Sequence, residues 1–182
     1  IYNSDQKAIF YFDGNRWINT KKSSHSGTIV IPQDPVNNLD NPNQNRPPFD
    51  IVVDDVPFKP SRIEFVAYAN VDDLNLNDDN STGQNNNNTK ENSFGYMTGY
   101  AQLNADGTIA QQVISGGGSG NSINDISRYA SSSFCVGIRY GNQNGDQVGL
   151  TTAELVSFDD NGFTIRSRRR DDALVVIYTA FQ

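Results

Sequence analysis

Apolar residues in this chain recur at every second position within short runs, and Gly, Asn, Asp and Pro separate the runs. That is the pattern of half-buried strands joined by turns. Arg62 to Ala69 shows it most plainly, with Ile63, Phe65, Ala67 and Ala69 apolar in alternation. After a turn at Gly162, Phe163 and Ile165 alternate with Thr164 and Arg166, while Val175, Ile177 and Thr179 alternate with Val176 and Tyr178. These two read as paired final strands. Ala8–Phe12 and Arg16–Ile18 flank Asp13-Gly14-Asn15, a short-range hairpin signal. Thr28–Ile31 is a strand stopped by Pro32, Ile51–Val53 is another, and Phe94–Leu103 with Thr108–Ile114 forms a hairpin around Asn104-Ala105-Asp106-Gly107. Ser133–Tyr140, Val148–Phe158, Gly162–Arg168 and Ala173–Phe181 follow as hairpin-connected strands. No stretch has convincing helical periodicity, although Ser122–Tyr129 has room for one turn.

The segments between the strands are unusually polar. Lys21–Gly27 reads as a connector and Gln33–Pro48, with four Pro and five Asn, as a long surface loop. Asp72–Asn92 contains Asn85-Asn86-Asn87-Asn88 and too few apolar groups to order itself, so a long mobile loop is expected. Gly116-Gly117-Gly118-Ser119-Gly120 is expected to be a flexible connector. Seven or eight antiparallel strands at this spacing predict an all-β protein, an antiparallel sandwich or jelly roll. Residues 1–31 are expected to form a small N-terminal β-hairpin and connector, and residues 32–182 the sandwich.

Composition narrows the chemistry. In 182 residues there are 23 Asn and 15 Gly, which is turn chemistry rather than helix chemistry, and 36% hydrophobic residues supply a core for one domain. The net charge of −7 argues against nucleic acid, whose phosphates need a cationic face. Cys135 is the single cysteine, so neither an intrachain disulfide nor a structural zinc is expected. No apolar run approaches the roughly 20 residues that span a bilayer, so no membrane partner is expected. Ile1 to Gln6 lack the features of a signal peptide, and with no Met at position 1 the chain is expected to be the C-terminal portion of a longer protein or a processed product.

Candidate chemistry is sparse. His25, the one histidine, sits among serines in the polar connector and lacks the companions of a hydrolytic triad. Glu64 and Glu154 are the acids that fall on strands, at positions expected on a solvated sheet face, so no glycosidase pair is expected. Asp73, Asn75, Asn77 and Asp79 alternate as in calcium loops, but the central Gly is missing and the twelfth position is Gln84. The glycine run lacks the Lys-Ser or Lys-Thr of a phosphate loop. No catalytic residue, cofactor or metal is therefore expected. Arg166, Arg168, Arg169 and Arg170 form the one basic cluster, but five nearby acids leave residues 154–172 at a net −1. On a strand Arg166 and Arg168 share a face, which makes them the candidates for ligand or subunit contact, while the nearby acids also permit pairing within one chain.

Two parts of the chain resemble known families. Ile1-Tyr2-Asn3-Ser4-Asp5, Phe10-Tyr11-Phe12-Asp13-Gly14 and Trp17 resemble the hairpin units that precede C-terminal domains in phage tail-fibre and bacterial surface proteins. Residues 50–182 are similar to phage virion β-sandwich domains and, more loosely, to H-type lectins, through Phe58-Lys59-Pro60, Phe94-Gly95, Asn161-Gly162-Phe163 and Tyr178-Thr179-Ala180. The resemblance implies an H-type-lectin-like antiparallel sandwich, usually trimeric, with sugar bound near subunit interfaces. It implies a non-enzymatic virion protein, a tail-fibre or receptor-binding domain that attaches to a host-surface glycan, with other virion subunits as partners and the virion as its location. A capsid decoration or tail-assembly subunit is the alternative. The lectins' aromatic and histidine after the Gly-Phe motif are replaced here by Arg166, Ser167 and Arg168, so the fold carries over and the ligand residues do not.

Overall fold

The computed structural model describes residues 1–4, 8–15, 17–19, 24–35, 47–75 and 90–182. Three antiparallel sheets account for its strands. At the N-terminus β1 (Tyr2–Asn3), β2 (Ala8–Phe12) and β3 (Trp17–Asn19) form a small sheet in that order. Its β2–β3 turn is the predicted one: Gly14 takes the positive φ of 101°, and the Asp13 carboxylate accepts the Asn15 amide at 2.9 Å.

The sandwich proper has a six-stranded and a four-stranded sheet. The larger contains β4 (Ser24–Ile31), β6 (Arg62–Tyr68), β7 (Ser93–Leu103), β8 (Ile109–Ser119), β9 (Ser122–Ser131) and β13 (Leu174–Phe181), in the order β4-β13-β6-β7-β8-β9. The smaller contains β5 (Phe49–Val53), β10 (Val136–Gly141), β11 (Gln147–Asp159) and β12 (Gly162–Arg170), in the order β10-β11-β12-β5. Period-two patterning decides which side chains go inward. Ile63, Phe65 and Ala67 of β6, Leu174, Val176, Tyr178 and Ala180 of β13, and Phe163 and Ile165 of β12 are all buried. Phe163 joins the sheets, lying edge-on to Phe65 at 6.0 Å and to Tyr178 at 5.0 Å. Glycine permits the closest approach of the layers: a Cβ on Gly99 of β7 would stand 2.0 Å from the Cys135 carbonyl oxygen beside β10. The Met97 sulfur accepts the Gly137 amide at 3.4 Å in the same place.

Five expectations need correction. The final two strands do not pair with each other: β12 joins β11 and β5 in the smaller sheet and β13 joins β4 and β6 in the larger, so the turn between them crosses from one layer to the other. The glycine run is not a connector, because Gly116, Gly117 and Gly118 pair with Tyr96, Gly95 and Phe94 inside β8. Glycine is required there: a Cβ on Gly117 would stand 1.9 Å from the Phe94 carbonyl oxygen. Ser122–Tyr129 holds no helical turn but lies in β9, drawn into register by the same glycines, Gly117 opposite Ser127 and Gly118 opposite Ile126. The strand expected from Thr28 begins at Ser24, since β13 is long enough to pair Phe181 with Ser24, and this puts residues 24–31 into the larger sheet. His25 is accordingly half-buried on a strand, 6.3 Å from the Tyr178 ring, rather than in a solvated connector.

The long loops divide in the same way. Positions 36–46 and 76–89, including Asn77 and Asp79 of the alternating acid and amide series, lie outside the described residues. The ends of both loops are fixed. Asp34 is buried and its amide donates to the Arg170 carbonyl at 2.8 Å, while Lys90 and Asn92 of the 3-10 turn Lys90–Asn92 are buried as well. Among the described residues no helix is long and apolar enough to cross a membrane.

Candidate functional site

The arginine cluster is neutralised inside the chain. Arg166 forms a two-point pair with Asp50 of β5, at 2.6 and 2.8 Å, and its hydrogen bonds hold the Asp50 carboxyl below the ordinary range while raising the guanidinium. Arg168 meets Glu154 of β11 at 2.8 Å, and Arg169 meets Asp171 at 2.7 Å. Arg170 donates to the Pro32 carbonyl at 3.0 Å and stacks over the Phe49 ring at 4.6 Å. Arg166 and Arg168 do share a face, as their spacing requires, and both are committed to carboxylates of their own chain. Glu154 is thereby absorbed.

Beside this cluster lies a buried polar network. Lys90 pairs with Asp172, and each side chain is under 10% exposed. Thr151 donates its hydroxyl to the Asp172 carbonyl at 2.8 Å, and the Asp171 carboxylate accepts the Leu150 amide at 2.8 Å. Burial raises the Asp172 carboxyl above the usual aspartate range, although its hydrogen bond and attraction to Lys90 pull it down. The network closes the β12–β13 turn against the end of the Asp72–Asn92 loop. It is an internal staple rather than an open site.

The accessible chemistry is on the outer face of the six-stranded sheet. Register sorts its outward residues into rows that cross the strands. Two rows at one end are mainly polar: Phe181, Arg62, Gln102 and Ala110, then Thr179, Glu64, Tyr100 and Gln112. The next row, Ile177, Val66, Thr98 and Ile114, is mainly apolar. Beyond it Tyr68 faces Tyr96, which faces Gly116, and Phe94 faces Gly118, which faces Ile126. The face therefore has a polar end and an apolar end.

A groove of about 340 Å³ lies over the polar end, lined by Arg62, Glu64, Thr98, Tyr100, Gln112 and Ile114 together with the strand backbone at Gly99 and Val113. Three groups fix Arg62: Glu64 accepts at 2.9 Å, Gln102 accepts at 3.2 Å, and the Tyr100 ring lies 5.3 Å beneath the guanidinium. The Arg62–Glu64 pair leaves the groove with no net charge but with donors and acceptors in place. The Gln112 amide and the Thr98 and Tyr100 hydroxyls add groups that both donate and accept. Such a set suits a small neutral polyol, and the volume is at the lower end of small-molecule sites.

No family model, curated protein or solved structure matches this chain. The groove must therefore be read from its own chemistry.

Of its residues, the sequence reading singled out only Glu64, and as part of a solvated face. Gln112, Thr98 and Tyr100 lie on β7 and β8, whose hairpin is evident in the sequence, but which polar residues meet across strands depends on register. A usable signal did exist. Arg62 and Glu64 on one strand, and Thr98 and Tyr100 on the next, each share a face by period two.

Proposed function

We propose that this chain is a non-enzymatic attachment domain of a phage virion, a tail-fibre or receptor-binding subunit that works as a homotrimer outside the cell and holds a host-surface glycan. The observation that carries the reading is the groove over β6, β7 and β8. Its fixed Arg62–Glu64 pair, its amide and its hydroxyls offer a sugar the paired donors and acceptors that vicinal hydroxyls require, on a rigid sheet rather than on a loop. The resemblance of residues 1–19 and 50–182 to virion modules supports the setting. A structural virion subunit, such as a capsid decoration or tail-assembly protein, is the second reading, and the apolar end of the same face favours it.

Glycan-array binding by the full chain tests the choice. Neutral hexose-containing glycans are expected to bind, and Gln112→Ala, at an exposed position, is expected to weaken binding at least about tenfold without moving the melting temperature, as loss of one well-placed polar contact would do. Incubation with host polysaccharide is expected to release no reducing ends above buffer. Stable self-assembly with no glycan bound on any array would leave the structural reading in place.

A further inference from the structure

We propose that the apolar end of the outer sheet face is the surface on which a second copy of this chain docks. The inference does not depend on the glycan reading, because the groove is centred on the polar end of the face and shares only Thr98 and Ile114 with this one. Tyr68, Phe94, Tyr96, Ile114, Ile126 and Ile177 point outward there and are 51–64% exposed. They are continuous in the register: Ile177 connects through Val66 and Thr98 to Ile114, one row along Tyr68 faces Tyr96, and Phe94 and Ile126 flank Gly118 beyond them. The glycines shape the surface as well. Gly116 meets nothing within 4 Å of where its Cβ would be, and Gly118 leaves room for the Phe94 ring, which lies within 3.3 Å of the corresponding point.

Charge identifies a second copy as the occupant, and the area is of the order such a contact uses. Half-exposed aromatic and isoleucine side chains in these numbers leave about 500 Å² of apolar surface, within the range of the largest patches on monomers. A stable protein interface uses roughly 800 Å² per partner, so the patch supplies more than half of one. The chain carries −7 overall, so two copies repel over most of their surfaces. The rows from Ile177 to Ile126 contain no carboxylate, and their one charged side chain is Arg128. This is where two acidic molecules can meet with least opposition.

Sedimentation and light scattering on the full chain test this directly. The wild type is expected to have a mass of at least two chains of 20.1 kDa each. Tyr96→Glu with Ile126→Glu is expected to raise the dissociation constant at least about 30-fold, as loss of a central aromatic contact does. Tyr96→Ser, which adds no charge, should move it in the same direction. Both sites are exposed, so circular dichroism and the melting temperature of the diluted variants should match those of the diluted wild type. Arg166→Ala with Arg168→Ala should leave the assembly intact. A wild type that stays at 20.1 kDa up to its solubility limit overturns the proposal, and so does an assembly that none of the apolar-end variants weakens. Because Tyr96 and Ile126 do not line the groove, glycan binding by these variants reports separately on the proposed function.

Discussion

Lys90→Met is expected to destabilise the protein by about 3 kcal/mol or more at pH 7, because it strands the Asp172 carboxylate in a buried site. The residue lies at the end of a segment whose composition reads as a mobile loop, so the size of the effect separates the two views. A solvated loop lysine would cost almost nothing on replacement. The pH dependence follows from the raised Asp172 carboxyl. A carboxyl whose folded pKa lies above its unfolded value binds protons more readily in the folded state, so it favours folding at low pH and costs stability as pH rises through its folded pKa. Removing Lys90 takes away a group that lowers that pKa, which moves the window upward. The difference between wild type and Lys90→Met in urea melts is therefore expected to be largest near neutral pH and to shrink as pH falls and Asp172 protonates. Adding Asp172→Asn to Lys90→Met should recover part of the loss, since the stranded charge is gone. A Lys90→Met protein as stable as wild type at pH 7 would show that the pair is not the anchor.

The contrast at Lys90 indicates where the sequence could be read and where it could not. Strands with one face in the core are legible by alternation: Ile63, Phe65 and Ala67 are buried between exposed Glu64, Val66 and Tyr68. The pairing of the last two strands is not, since β12 and β13 lie in different sheets. The Asp13-Gly14 turn was equally legible, because a positive φ selects glycine locally. What failed was information held by a distant partner. Ser24 to Gly27 carries no apolar pattern and is a strand only because β13 extends beside it. Lys90 is polar by composition and buried because Asp172 comes to it from 82 positions away. Arg166 and Arg168 were recognised as a same-face pair, but that Asp50 and Glu154 stand opposite them is a matter of register. The candidate groove was hidden for the same reason, since its polar groups come from three neighbouring strands.

The face built by that register has two ends with different chemistry, and this division bears on the choice between attachment and assembly. A polar groove beside an apolar patch allows one rigid sheet to offer a ligand and a second copy largely different residues. Tip and scaffold roles are then not exclusive. The ends meet at Thr98 and Ile114, which line the groove and border the patch.

Gly117→Ala is expected to destabilise the protein by about 3 kcal/mol, while Gly116→Ala, one position away, is expected to change stability by less than about 0.5 kcal/mol. Both lie in a run whose composition reads as a flexible connector, and in a connector the two substitutions would be equivalent. In β8 they are not. Gly117 is set so that a Cβ would fall 1.9 Å from the Phe94 carbonyl oxygen and 2.6 Å from the Gly95 Cα, both backbone atoms of the paired strand. Neither can move aside as a side chain could, so β7 and β8 must part or slip. Slippage by one residue would turn Phe94 and Tyr96 inward and bring core residues to the surface, since strand faces alternate with period two. Gly116 faces open space on the outer side, where a methyl group meets nothing within 4 Å and also reduces the freedom of the unfolded chain. Urea melts of the two variants against wild type supply the comparison. Equal and negligible effects would return the glycine run to a connector and remove the aromatic border of the apolar end with it.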